Sequence, residues 1–194
     1  NRDFELIKPA LIHILRQHPH TRLHLLGRLE PGDGWEGLEE RIVHKPLVPW
    51  RELPALLAEF DINIAPLAED NPFSLSKSEI KWMEAAMVGV PTVASPTDAF
   101  LYAIRPDANG CLASGVEEWE KILSRLVEER EFRETLGETA RNEVLAAYRP
   151  VVRAAQLGET LNEVAVALGR EPFFSAEQID PGRLEETIRL SDQQ

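Results

Sequence analysis

Hydrophobic positions along the chain follow two alternating rhythms. Residues 4–16, "FELIKPALIHILR", place Phe4, Ile7, Leu11, Ile12 and Leu15 on one helical stripe. Pro9 falls in its first turns, where a missing N–H costs least. "RLHLLG" then alternates as a strand does and stops at Gly27, and "RIVHKPL" is a second short strand. Between them, "RLEPGDGWEGLEE" reads as a loop. "WRELPALLAEF" predicts a helix burying Leu53, Leu56, Leu57 and Phe60. "DINIAPL" predicts a third strand, apolar enough to be covered on both faces.

A helix is predicted from about Ser76 to Val88, with Ile80, Met83 and Met87 as its buried stripe. Gly89 and Pro91 should close it in the manner of a left-handed C-cap. "PTVASP" and "GCLAS" predict strands four and five. "VEEWEKILSRLVEER", "EFRETLGETARNEVLAAY" and "VVRAAQLGETLNEVAVALG" predict helices, and the tail from Arg170 is polar. Short strands alternating with helices indicate βαβ units and a Rossmann-like, doubly wound parallel sheet of the α/β class. Such a half normally begins with a strand and a phosphate-binding turn. This chain opens on a helix instead, so the first strand is expected to be lacking. The chain also opens without Met, which leads us to expect a piece of a longer protein. The expected division is a domain over 1–150, a helix over 151–169 and a polar tail over 170–194.

Composition narrows the function. The 194 residues are 43% hydrophobic and 28% charged, ordinary for a globular chain. A net charge of −12 repels a phosphate backbone and argues against nucleic acid as a partner. An anionic small ligand would need a local lysine or a helix N-terminus. One cysteine, Cys111, allows no internal disulfide, which suits the cytoplasm. In its apolar strand Cys111 reads as a small core residue. No apolar run reaches the length of a membrane span. His18, His20 and His24 lack a common apex, and no metal is expected. Trp35 and Trp50 read as packing residues beside loops, and Ser95 and Thr97 as helix caps.

The stretch with the most chemistry is 72–84, "PFSLSKSEIKWME", at the carboxyl edge of the sheet where such folds bind ligands. Helical spacing puts Lys77, Lys81 and Glu84 on one strip and turns Glu79 away, so the two glutamates are not a catalytic pair. Ser74, Ser76 and Ser78 straddle the expected helix start as N-cap candidates. Free N–H groups there, with a lysine, could seat a phosphate, and Glu84 could accept from a vicinal diol. The same spacing also fits a solvated Lys81–Glu84 pair with Ser76 merely capping.

"DINIAPL…NPFSLSKSEIKWMEAAMVGVPTVAS" resembles the donor-binding, C-terminal domain of retaining GT-B glycosyltransferases, group 1 or family 4. The resemblance runs over about residues 4–150. It implies a nucleotide-diphosphate sugar as donor substrate with no further cofactor, and a hexose-like sugar passed to a glycan or lipid-linked acceptor, as in polysaccharide biosynthesis. By this resemblance Glu84 matches the glutamate that holds the ribose. The earlier glutamate of the family, which contacts the donor sugar, is here Ser76; Ser76 with its neighbouring backbone, or Lys77, would take over that contact. Ser74, Phe73 and Lys81 belong to the same expected site, and the base would rest near Leu47 and Val48. The resemblance also implies a separate N-terminal acceptor-binding domain, peripheral membrane association only for the full-length enzyme, and a near-silent fragment. Two alternatives stand beside it: half of a nucleotide-sugar 2-epimerase, and a non-catalytic nucleotide-sugar-binding or interaction module.

Overall fold

A computed structural model describes residues 2–68 and 70–191, without the side chains of 187–191. The chain forms two compact units, residues 1–142 and 143–194.

The first unit is α/β. It begins with α1 (Arg2–Glu5) and α2 (Lys8–Gln17), followed by β1 (Leu23–Leu26), a 3-10 turn (Glu39–Arg41) and β2 (Ile42–Lys45). Next come α3 (Leu53–Leu57), β3 (Asn63–Ala65), α4 (Pro72–Leu75), α5 (Ile80–Met87) and β4 (Thr92–Ala94). The unit is completed by α6 (Asp98–Ala103), β5 (Cys111–Leu112), α7 (Gly115–Glu128) and the larger part of α8 (Arg130–Ala147). The first helical stripe is broken at Leu6 and Ile7, and α2 restarts with Pro9 at its first positions. Phe4, Ile7, Leu11 and Leu15 still reach one core, shared with Val93, Cys111, Trp119 and Leu126.

All strand pairs are parallel. β1 pairs with β2, while β3, β4 and β5 form a second ladder in that order. β1 and β3 are not hydrogen-bonded to each other. Two cavities of ≈ 360 and ≈ 350 Å³ lie between their facing edges, and both are lined by His24, Phe60, Ile62 and Ile64. The first opens on the side of α2 and α7, through Leu11, Leu15, Leu123 and Val127. The second opens on the side of α3 and α5, through Leu53, Leu57, Lys81 and Glu84. They are two faces of one seam.

Backbone alternation explains the seam. The Asn63 N–H and the Ala65 carbonyl bond toward β4, which turns both polar groups of Ile64 to the seam. The Gly27 N–H bonds toward β2, which does the same for Leu26 and His24. Two parallel ladders, β1-β2 and β3-β4-β5, with helices between the strands agree with the expected doubly wound α/β class. The seam also corrects one detail. Leu53, Leu56, Leu57 and Phe60 are half-buried rather than core, and three of them line the cavity.

Two sequence predictions for α5 need correction. The helix starts at Ile80 rather than Ser76, because Pro72–Leu75 form a separate turn of helix capped by Asn71, whose Oδ1 accepts from the Phe73 N–H. Its buried face is Trp82, Ala85 and Ala86, with Ile80 and Met87 about half exposed. Trp82 decides this: it offers the largest apolar area, and its indole N–H finds the Asn109 carbonyl at 3.0 Å. The C-terminus matches the prediction. Gly89 has φ +79, its N–H bonds Ala86 O, and the Val90 N–H bonds Ala85 O, a Schellman pair.

The second unit holds the end of α8, α9 (Pro150–Ala167) and α10 (Pro181–Ser191), the last of which the sequence reading did not single out. α9 and α10 pack together. Asn162 exchanges two hydrogen bonds with the Phe174 backbone, at 2.8 and 3.0 Å.

Gly137 of α8 meets Gly89 closely: a Cβ on Gly137 would lie 2.0 Å from the Gly89 carbonyl oxygen. Helix propensity favours Gly→Ala by about 1 kcal/mol. Backbone cannot yield as a side chain can, so the clash outweighs that gain. Gly137→Ala should lower unfolding stability by about 1–3 kcal/mol in urea titration.

Candidate functional site

The cavity on the α3/α5 side brings together side chains from α1, β3, α5 and the segment following β3. Asp3, Lys77, Lys81 and Glu84 all line it, with Asn63 and Pro66 beside them. It runs along β1 and β3, from His24 and Ile62 to Leu26, Pro66 and Leu67 at and beyond their carboxyl ends.

Each charged group is placed for an identifiable reason. Trp82 and Glu84 lie about 160° apart on the helix, so burying the indole turns the carboxylate outward. Asn63 fixes the height of α5: its Nδ2 donates to Lys81 O at 3.2 Å and to Thr92 Oγ1 at 3.0 Å. Ser95, expected as a cap, instead accepts from the Leu67 N–H at 3.0 Å and pins the chain leaving β3.

Asp3 then gathers the segment that follows. Its Oδ1 accepts from the Ala68 N–H at 2.9 Å and from Ser74 Oγ at 3.2 Å. Its Oδ2 pairs with Lys77 Nζ at 3.1 Å. Burial works to raise the Asp3 pKa, but the Ala68 N–H, Lys77 and Ser74 outweigh it and hold the carboxyl below its ordinary value. Lys81 behaves oppositely. Burial first, then the like charge of Lys77, lowers its pKa, while Asp3 and Glu84 partly restore it. Among the described residues, neither Lys81 Nζ nor the Glu84 carboxylate has a hydrogen bond or ion pair.

The serines do not sit as N-caps of α5. Ser74 is buried and donates to Asp3, and Ser76 is exposed and donates to Phe73 O at 2.9 Å. Ser78 lies in the connection before α5, whose N-cap is Glu79, without a side-chain cap bond. A carboxylate there already answers part of the helix dipole. An anion in this cavity is therefore left chiefly to the lysines. Phe73 is exposed, with Lys77 Nζ 5.1 Å from its ring centroid. Leu47 and Val48 follow β2 and do not line the cavity; Leu47 is exposed and packs over Gly27.

Asp3 was not singled out from sequence. Its one legible sign was a charged residue beside the buried Phe4 at the start of a helix, and no spacing links it to a segment 65 to 74 residues away.

Of the two tryptophans expected to pack beside loops, Trp35 does so and Trp50 does not. Trp35 is buried, stacks on Phe4 at 6.1 Å and donates to Pro31 O. Trp50 is exposed beside Arg51. Thr97 precedes α6 without forming a side-chain cap bond. No group of three or more His, Cys, Asp and Glu among the described residues could hold a metal ion. No described helix is long and apolar enough to cross a membrane.

The model of the glycosyl transferase-like family matches residues 7–159. The chain belongs to that family. None of the curated proteins compared with it matches. Among solved structures, it is similar to the C-terminal domain of a group 1 glycosyl transferase from Francisella tularensis, with 18% identity and a TM-score of 0.58 over 76% of this chain and 79% of that one. It is also similar to Anabaena HepE in complex with UDP, with 19% identity and a TM-score of 0.66 over 82% of this chain and 44% of that one. A putative UDP-N-acetylglucosamine 2-epimerase from Listeria monocytogenes shares 17% identity and a TM-score of 0.51 over 76% of this chain and 40% of that one. The fold is the Rossmann-like C-terminal half of the GT-B architecture, and the chain spans less than half the length of the HepE chain.

Cys111 is 2% exposed, and burial, with Asp107 adding to it, pushes its thiol up to about 11. Thiolate is the reactive form. Iodoacetamide at pH 7.5 should leave native Cys111 unlabelled over a time that fully labels the urea-unfolded chain, as read by mass spectrometry.

Proposed function

We propose that this chain is the donor-binding half of a retaining, family-4-like GT-B glycosyltransferase and takes a nucleotide-diphosphate sugar into the α3/α5 cavity. The observation that carries the reading is that Lys77, Lys81 and Glu84 share one cavity at the carboxyl side of the sheet, Lys81 and Glu84 with unpartnered heads. A carboxylate without a hydrogen bond of its own can accept two from a ribose diol. Lys81 reaches the diphosphate as a mobile point charge, and Lys77 offers the donors that Asp3 leaves unused. Charge growing on the leaving diphosphate during transfer would be met by the same lysines, which is electrostatic catalysis. No metal is needed for that role. UDP in the HepE complex supports a nucleotide as ligand class for this fold.

The parent enzyme would pass a hexose-like sugar to a glycan or lipid-linked acceptor held by another domain. The base would lie toward Leu47 and Val48, and Ser76 with Phe73 would border the sugar.

Calorimetry with UDP, GDP and ADP tests the reading. One of the three should bind, and Glu84→Ala should weaken it about ten- to hundred-fold. The Glu84 carboxylate has no hydrogen bond or ion pair to lose, so the unfolding free energy should stay within about 0.5 kcal/mol of the native chain. Unchanged affinity in Glu84→Ala would remove the ribose role.

A further inference from the structure

Asp3 takes donors from three separate points of the chain that follows β3: a backbone amide at 68, a hydroxyl at 74 and an ammonium at 77. Its side chain is 16% exposed and that of Lys77 33%, so neither is a freely solvated surface charge. Next to it, Arg2 pairs with Asp70 and fastens α1 to the same segment. We propose that Asp3 is the positioning residue of the nucleotide site, acting through Lys77 to set the affinity for the diphosphate. The inference rests on the reading that Lys77 faces that diphosphate.

The cavity holds two lysines and two carboxylates, so it has no net charge with which to draw an anion. The chain as a whole, at −12, repels one. Affinity for a diphosphate must then come from donors already in place. A free lysine side chain surrenders much rotamer freedom on being fixed, and Asp3 fixes Lys77 before any ligand arrives. The ammonium has three N–H donors and Asp3 takes one direction, leaving the others for phosphate oxygens.

Asparagine cannot stand in. Its oxygen can serve the Ala68 amide and the Ser74 hydroxyl only if its NH2 meets the Lys77 ammonium, donor against donor. If the amide is reversed, Ala68 and Ser74 lose their acceptor. Two opposed expectations follow. A positioning role predicts weaker binding in Asp3→Asn. A bare carboxylate beside a phosphate, acting only by repulsion, predicts tighter binding.

The test is UDP affinity by calorimetry in the native chain, Asp3→Asn, Lys77→Met and the double variant, with thermal unfolding measured on each. We expect Asp3→Asn to weaken UDP about ten-fold. In the Lys77→Met background the same change should alter affinity less than about two-fold, because the residue it acts through is gone. Asp3→Glu, which keeps the charge but moves it by one methylene, should recover part of the loss, and it serves as the informative variant should Asp3→Asn not fold. Equal or tighter UDP binding by Asp3→Asn overturns the inference, as does an equal loss with and without Lys77, which would mark a purely structural role. A native chain that binds none of UDP, GDP and ADP defeats the reading of the site itself, a distinct result.

Discussion

One indole determines how α5 faces the sheet. Trp82 is 2% exposed and bonded to the carbonyl of Asn109, itself 0% exposed. Asn109 is held in turn by the Arg105 amide at 2.7 Å and by the Ala103 carbonyl at 3.1 Å. Rotating α5 would strip a large apolar area of burial and orphan a buried N–H, either of which costs a few kcal/mol. The carboxylate of Glu84, on the far side of the helix, therefore has a defined direction without any bond of its own. The group proposed to meet the ligand is left unbonded, and neighbours that meet no ligand do the orienting.

The cations of the cavity follow the same division of labour. Lys77 is bonded and half-sheltered, whereas Lys81 is an unpaired head whose charged form is disfavoured first by burial and then by Lys77. An incoming anion would relieve that repulsion. The carboxylate of Asp3 keeps the arrangement neutral in the meantime, which suits a chain carrying −12 overall.

Much of this fold was legible in the amino-acid pattern. Five β-branched or leucine-rich runs became five parallel strands, and Gly89 closed α5 as its position implied. What stayed hidden depended on distant partners. "SLSKSE" offers three serines as N-caps by local rules, but Asp3 claims Ser74 and Ser76 turns back to Phe73, so the helix begins four residues later than Ser76. The strip Ile80, Met83 and Met87 was a sound apolar stripe, yet Trp82 and two alanines fit a closer approach to the sheet. Ser95 resembled a cap and became an acceptor for an amide 28 residues away. Helical spacing plus family likeness pointed to Lys77, Lys81 and Glu84, and these line one cavity although Lys77 lies before α5; Asp3 has no such spacing.

The seam between β1 and β3 bears on how this unit meets other polypeptides. Unpaired strand edges ordinarily template association with foreign strands. Here both edges face inward, with helices over each face of the gap. Charged side chains stand at both mouths of the gap, Arg22, Glu59, Asp61 and Arg133 on one side and Asp3, Lys77, Lys81 and Glu84 on the other, the kind of residue that blunts strand edges elsewhere.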